Sequence, residues 1–547
     1  MFMKTISRVG HYTCSPTAGL FRTARRVGAI GSIAWLVSAA ACSSAANTTT
    51  DTDAGAVSGT PEDGGSTDDA GTVKGGGHTT DAGSSSQDAQ VAKDAAPVPP
   101  SCDLGKDPKD SPACVADGVG LFVDGTSGLD TNDGTKAHPF AHIQAALAKG
   151  SSRIYVCAGT YDEHVKITAG VGIYGGFACG TFAFGAANVV SIAPSDAGYA
   201  VEIANAAGAV VLEDLSMMAV GGTAAQPSSV AVFAHGSGPV ALKRAVAIAG
   251  DGYLGTSSTV GSNYDLAMAT MGNPGSHMTT TPIAGLAPAC DALCKNGVHS
   301  SAGKGYGLGG GGIPALPGGP AIAGHAGGAA GAGACNGPGL GQDGAQGPAG
   351  TDGATPTRVG TLSALGWTAA VGAAGTIGGP AQGGGGGDGF SSGIGVAYGG
   401  GSGACGGCGG APATAATGGG GSIALLVWET PITLVASSLT TGAGADGGTG
   451  AAGQGGQLGG QGGAADGTGG CKGGSGGDGG HGGASAGGAG GVSVGVLYVA
   501  KTVSAPVLDA ATSNDITNGT AGNRGAGGAG NDGLALPPQK VQDASSI

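Results

Sequence analysis

The sequence predicts an all-β solenoid interrupted by long glycine-rich excursions. Three observations carry this: acidic residues that are almost all aspartate, short β-rich runs separated by turns, and a strand–proline–strand pattern that recurs along the chain. Glutamate is confined to Glu62, Glu163, Glu202, Glu213 and Glu429. Aspartate favours turns and caps whereas glutamate favours helices, so the balance points to β-structure. With 123 glycines in 547 residues and 4% aromatics, the composition is not that of an ordinary globular chain. A net charge of −14 with few clustered Lys and Arg argues against nucleic-acid binding.

The N-terminus reads as a processing segment. Arg22, Arg25 and Arg26 precede the apolar run "VGAIGSIAWLVSAAA", which ends at Cys42. A basic flank, an apolar core and small residues make a secretory signal. The "AAA" before Cys42 resembles the lipobox of bacterial lipoproteins, with Ala39 in place of the usual leucine. That resemblance implies residues 1–41 as signal peptide, lipidation of Cys42 and membrane attachment through the lipid. Residues 42–100 are rich in Ser, Thr, Asp, Gly and Ala and close on "AAPVPP"; they cannot bury enough apolar surface to order, and read as an acidic tether. Ser43 stands where an inner-membrane retention signal would place aspartate, so the expected location is the bacterial outer membrane or cell surface.

From Gly120 the text changes. The strand-like runs "LFV", "RIYVCAG", "EHVKI" and "GVGIYGGF" alternate with turns, and one helix is expected over Phe140 to Ala148, entered at Pro139 and ended by Gly150. The order D…N-D-G-T…P-F-x-x-I, followed by I-Y-V-x-x-G-T-Y-x-E-x-V, resembles the opening of secreted right-handed parallel β-helix proteins of the pectate-lyase-like superfamily, over Gly120 to about Phe177. The resemblance implies that Asp130, Asn132, Gly134, Thr135, Pro139, Phe140 and Ile143 build a capping loop and helix, which are structural roles.

Further along, "SVAVFAHGSGPVALKRAVAIAGDG" (229–252), "SIALLVWETPITLVASSLTTGAG" (422–444) and "SVGVLYVAKTVSAPVLDAATSNDITNGTAG" (493–522) align as coils, preceded by a weaker version at 199–222. Each pairs an apolar strand with a second strand led by Pro239, Pro431 or Pro506. Proline suits a strand's first position, where no ladder donor is lost. Each coil is too small to bury its own face, so they are expected to stack. The organisation expected is a cap and first coils over 101–252, an insert over 253–421, a coil over 422–444, an insert over 445–491, a coil over 492–522, and a glycine-rich tail over 523–547. Glycine-rich text leaves the coils at equivalent points, after Ile248, Leu439 and Ile516, so the inserts should emerge from one edge and lie side by side.

Within them glycine falls on every third residue from Gly444 to Gly462, from Gly467 to Gly482 and from Gly341 to Gly353. Period three fits an extended three-residue helix. Three readings remain open: a disordered linker, a collagen stalk, for which the second run lacks proline, and a bundle of polyglycine-type rods. The inserts also resemble the glycine-rich repeats of PE-PGRS surface proteins, without the domain that gives that family the first part of its name.

After Cys42, ten cysteines remain: Cys102, Cys114, Cys157, Cys179, Cys290, Cys294, Cys335, Cys405, Cys408 and Cys471. An even number in an exported chain reads as disulfides. Proximity favours Cys102 with Cys114 and Cys157 with Cys179; the remaining connectivity is open. "CGGC" at 405–408 admits a redox pair, or a zinc site with Cys290 and Cys294.

For chemistry, the superfamily resemblance implies lyases that hold calcium with clustered acids and use Lys or Arg as base. The candidate acids Asp124, Asp130 and Asp133 fall in the capping loop. Lys243 and Arg244, like Glu213 and Asp214, are neighbours on a strand and should point to opposite faces. His138, His142 and His164 near the cap form a candidate metal cluster. The sequence therefore leans towards a non-catalytic surface lipoprotein with a structural, adhesive or glycan-binding role and no cofactor. A calcium-dependent polysaccharide lyase or glycoside hydrolase is the alternative. The expected partners are a membrane and an extracellular polysaccharide or cell-surface partner.

Overall fold

The computed structural model describes residue 99 and residues 101–547, apart from 279–283, 287, 291–292, 306–326, 334, 336, 392–396, 468 and 531. The expected signal segment, Cys42 and all of the tether but Pro99 lie outside the described residues. The described chain forms a parallel β-helix of three parallel sheets. The first sheet stacks Leu121–Val123, Arg153–Cys157, Val171–Phe177, Val210–Glu213, Val240–Lys243, Ile432–Val435 and Val507–Leu508. The second runs from Val165–Ile167 through Val201–Ala204, Ser229–His235, Ser422–Trp428 and Ser493–Val499 to Gln539–Asp543. The third stacks Gly159–Tyr161, Val190–Ile192, Ser216–Ala219, Val246–Ala249, Ser438–Thr441 and Asp515–Thr517.

Register places like on like. Inside the first sheet Ile154, Ile173, Leu212, Leu242, Leu434 and Leu508 form one aliphatic column. Val165, Val201, Val232, Leu425 and Val496 form another in the second, and Ile192, Met217, Ala247, Leu439 and Ile516 a third. Fully burying each large aliphatic contributes about 1.5–3 kcal/mol, and no coil buries its residues without its neighbours. The strands at 229–235, 422–428 and 493–499 are apolar on both faces. Outside the solenoid, Val230, Phe233, Ile423, Leu426, Val494 and Leu497 are covered by Trp367 and by Leu534, Leu536 and Ile547 near the C-terminus. Trp367 belongs to a hairpin of Gly360–Ser363 and Gly366–Ala369.

The corners are turned by single residues in the left-handed region. Asn205, Gly236 and Glu429 (φ 52°, 57° and 46°) follow paired strand ends, as do Asp214, Arg244 and Ala436 (φ 55°, 47° and 49°). The ladder continues through both corners: Asn205 donates to the His235 carbonyl, Gly236 to Trp428, Asp214 to Lys243 and Arg244 to Val435. Just beyond, the buried hydroxyls of Ser237 and Ser437 accept the amides of Ala206 and Ala245 from the preceding coil. Pro239, Pro431 and Pro506 each stand one residue before a first-sheet strand, and the Pro239 and Pro431 carbonyls accept from Val210 and Val240.

Where glycine recurs at every third residue, the described parts of the inserts are ordered rods with a three-residue hydrogen-bond repeat, neither linker nor collagen. Gly341, Gly344, Gly347 and Gly350 donate at 2.8–3.0 Å to the carbonyls of Lys472, Ser475, Asp478 and His481. Gly473, Gly476, Gly479 and Gly482 donate to Gly463, Gly460, Gln457 and Gln454, while Gly474, Gly477, Gly480 and Gly483 donate to Gly385, Gln382, Gly379 and Thr376. The rod at 471–491 is thus surrounded by those at 341–353, 370–387, 401–420 and 444–463, all within one chain. Two of its three faces meet neighbouring backbone through glycine. A Cβ at Gly479 would overlap the Cys408 carbonyl oxygen, and one at Gly480 that of Pro348. The third position carries Ser475, Asp478 and His481. The repeat G-G-x is thus what an inner rod of three faces requires.

Among the described residues five disulfides form: Cys102–Cys114, Cys157–Cys179, Cys290–Cys405, Cys294–Cys408 and Cys335–Cys471. The first two are the pairings that proximity favours. The redox and zinc readings of "CGGC" fail, since Cys405 and Cys408 are each bonded to a distant partner. Residues three apart in such a rod lie about 9 Å apart on one face, beyond the roughly 7 Å that a disulfide spans.

Replacing Gly480 by alanine should lower stability by about 1–3 kcal/mol or more through overpacking. Alanine at Gly455, where a Cβ would have nothing within 4 Å, should be neutral or stabilising by up to about 1 kcal/mol. Denaturant unfolding of the two variants checks the contrast; equal effects would mean the rods are not packed.

Candidate functional surface

The structure brings the residues expected of the cap together around the first coil, with one correction to the expected helix. The helix is shorter than expected, Ile143–Leu147. Phe140 lies in the core and forms a parallel bridge to Val123 instead. Asp130 accepts the amides of Ala141 and His142, and the Glu163 carboxylate accepts those of Ile143 and Gln144, so two carboxylates occupy the helix start that Phe140 was expected to open. Asn132 donates its side-chain amide to the Pro139 carbonyl. Gly134, at φ 78°, sits against the Phe140 ring, where no side chain fits. Thr135 closes on Asp133 through both its amide and its hydroxyl.

These contacts also define the candidate acids. Asp124 is buried and accepts from Thr126, Ser127 and the Ser127 hydroxyl. Burial raises its carboxyl, but these hydrogen bonds outweigh it and hold the group below its ordinary value. Asp130 and Asp133 serve the turn and the helix start. Among the described residues, Asp130 and Asp133 join no group of three potential metal ligands, and Asp124 groups only with Cys157 and Cys179.

The expected opposition of adjacent charged side chains is overturned. Arg244 and Asp214 occupy the left-handed corner, where the two-residue alternation of a strand no longer holds. One cluster results. Lys243 Nζ lies 2.7 Å from Asp107, Arg244 Nε lies 2.9 Å from Asp214, and the Arg244 guanidinium also meets Asp107 and Glu213. Glu213 is 1% exposed and its Oε2 lacks a hydrogen-bond partner. Burial pushes its carboxyl up to about 7, with Arg244 pulling the other way. For Asp107 burial also raises the value, but Lys243 and Arg244 prevail and hold it low. Asp107 was not singled out in the sequence: it lies 136 residues from Lys243, in the disulfide-closed N-terminal loop.

The histidines do not converge. His142 pairs with Asp130 at 2.7 Å; His164 contacts Asp196 and the Tyr199 carbonyl. His235, unremarked in the sequence, joins Lys166 on Glu202. Among the described residues, the one grouping of three potential metal ligands is Asp124, Cys157 and Cys179, two of which form a disulfide. The outer face of the third sheet carries Ser191, Ser216, Val246 and Ser438 in one row and Met218, Ile248 and Thr440 in the next, with Asp515 and Thr517 at its end. Among the described residues no helix is long and apolar enough to cross a membrane.

No protein-family model, curated protein or solved structure matches the chain.

The raised carboxyl of Glu213 fixes a sign. The folded state holds its proton between about pH 4.5 and about 7, so this group's contribution is largest below that window and is lost as pH rises through it, on the order of 3 kcal/mol at most. Glu213→Gln should flatten the fall in unfolding free energy between pH 5 and 8. Urea titrations across that range test this; parallel curves for both proteins would refute it.

Proposed function

We propose that this is a non-catalytic, lipid-anchored cell-surface protein, in which a tether lifts a pectate-lyase-like β-helix off the bacterial outer membrane for a structural, adhesive or glycan-binding role. One observation carries the reading. Lys243 and Arg244, the only adjacent basic pair on a coil, are bound to Asp107, Glu213 and Asp214. A base for proton abstraction must reach its substrate, and these cations are held by the protein's own carboxylates. The acids beside them are partly or wholly buried, not open on neighbouring coils. The outer face of the third sheet, mostly Ser, Thr, Val, Ile and Met, suits contact better than acid–base work. Five disulfides support an oxidising, extracellular setting. The glycine-rich inserts, similar in composition to PE-PGRS repeats, supply a rigid body beside the solenoid.

Purified ectodomain incubated with polygalacturonate and calcium should release no unsaturated products, followed by ultraviolet absorbance. Product formation that disappears in Lys243→Ala or Arg244→Ala would overturn the non-catalytic reading in favour of a lyase. The anchor is tested apart: Cys42→Ser should move the protein from the membrane fraction to the soluble one, and unchanged partitioning would exclude lipidation.

A further inference from the structure

A groove of about 530 Å³ opens where the inserts leave the solenoid, between the starts of two second-sheet strands, the hairpin at 360–369, the segment from Tyr253 to Thr256 and the end of the rod at 401–420. It is walled by Tyr199, Tyr253 and Trp367, with Gln226, Ser228 and Thr368 among its polar groups. Not one of its lining residues is ionisable in the neutral range, in a chain of net charge −14.

Its aromatics are held in place. Tyr199 packs on Phe233 with ring centroids 5.0 Å apart, and Phe233 stacks on His235. Gly366, at φ 109°, turns the hairpin against the Tyr199 hydroxyl where a Cβ would overlap it. Gly360 lies beneath the Trp367 ring, again with no room for a Cβ. Both rings are therefore fixed before any ligand arrives, which removes ordering costs from binding.

We propose that this groove binds a neutral oligosaccharide segment of an extracellular polysaccharide, a deepening that rests on the surface-contact reading above. Aromatic faces receive the C–H faces of sugar rings, and hydroxyl and amide groups receive their hydroxyls. Without a cation in the wall there is nothing to offset the desolvation of a uronate, and without an anion nothing to hold a basic ligand. The open, mixed lining differs from the enclosed apolar cavity that a lipid chain requires.

Isothermal titration of the ectodomain with cellohexaose, xylohexaose and mannohexaose, beside hexagalacturonate, tests this. At least one neutral hexasaccharide should bind, hexagalacturonate at least tenfold more weakly, and Trp367→Ala should reduce the neutral affinity tenfold or more. Tyr253→Ala, at a ring already 44% exposed, repeats the test without touching the hairpin. Preference for hexagalacturonate, binding unchanged in both variants, or no binding of any neutral probe would overturn the assignment. So would dimerisation in sedimentation that Leu365→Asp, at a side chain 92% exposed, abolishes without any saccharide bound; the groove would then be the seat of a second copy. None of these failures touches the polygalacturonate and fractionation results, so the broader reading stands or falls separately.

Discussion

The described chain is built on one hydrogen-bond register shared by solenoid and rods. Gly401, Ala404, Gly407, Gly410 and Ala413 donate to Cys471, Gly474, Gly477, Gly480 and Gly483, and after Gly419 to Ala489 the same offset delivers Ser422 to the Val492 carbonyl. There the pair becomes two stacked strands, Ser422 opposite Ser493. Fixing glycine costs about 1–2 kcal/mol per residue in backbone entropy, and an isolated rod offers no bonds in return. Two rods that enter stacked strands at equivalent points are aligned by the β-helix before they meet. The solenoid thus acts as the template that makes an ordered glycine bundle affordable.

The same need to satisfy backbone donors explains the aspartates. In the inserts, Asp343, Asp352, Asp446 and Asp478 accept amides of Ser475, Ala484, Asn523 and Gly459 from neighbouring rods. These are positions where a rod has a donor and no facing carbonyl, and a short carboxylate reaches it. Gln454 and Gln457 do likewise for Ala411 and Cys408. Four of the 36 acidic residues are thus placed along the edges of the bundle as part of its hydrogen bonding.

The β-helix was legible because its signals are local and repeated: apolar strands, prolines at strand starts, and inserts leaving at matching points. The turn that gathers Asn132, Gly134, Pro139 and Phe140 left a dense local motif. The corners were not. Asn205, Asp214 and Gly236 are ordinary left-handed residues, but Arg244, Glu429 and Ala436 are not, and only stacking against the preceding coil reveals their conformation. Strand alternation carried past Lys243 therefore separated side chains that the fold gathers. Asp107 had no local signal, since its partners come from folding a chain over itself. The Gly360–Ala369 hairpin did leave a trace, strand-like "GTLS" and "GWTA" about a short turn, but the surrounding glycine obscured it.

The three-residue repeat of the rods gives them a grammar of length. In the inner rod at 473–483 each triplet assigns two positions to neighbouring backbone and one to a side chain, and in the rod at 341–353 one position, that of the glycine, meets backbone, so the faces of a rod behave as a reading frame. Adding or removing a whole triplet at a rod's tip lengthens or shortens the bundle and leaves every remaining face in phase. A single inserted residue shifts the frame, driving Asp478 or His481 into a seam built for hydrogen atoms. Growth of such a protein is therefore quantised in threes along its rods, whereas the coils that anchor them grow only by whole turns of the solenoid.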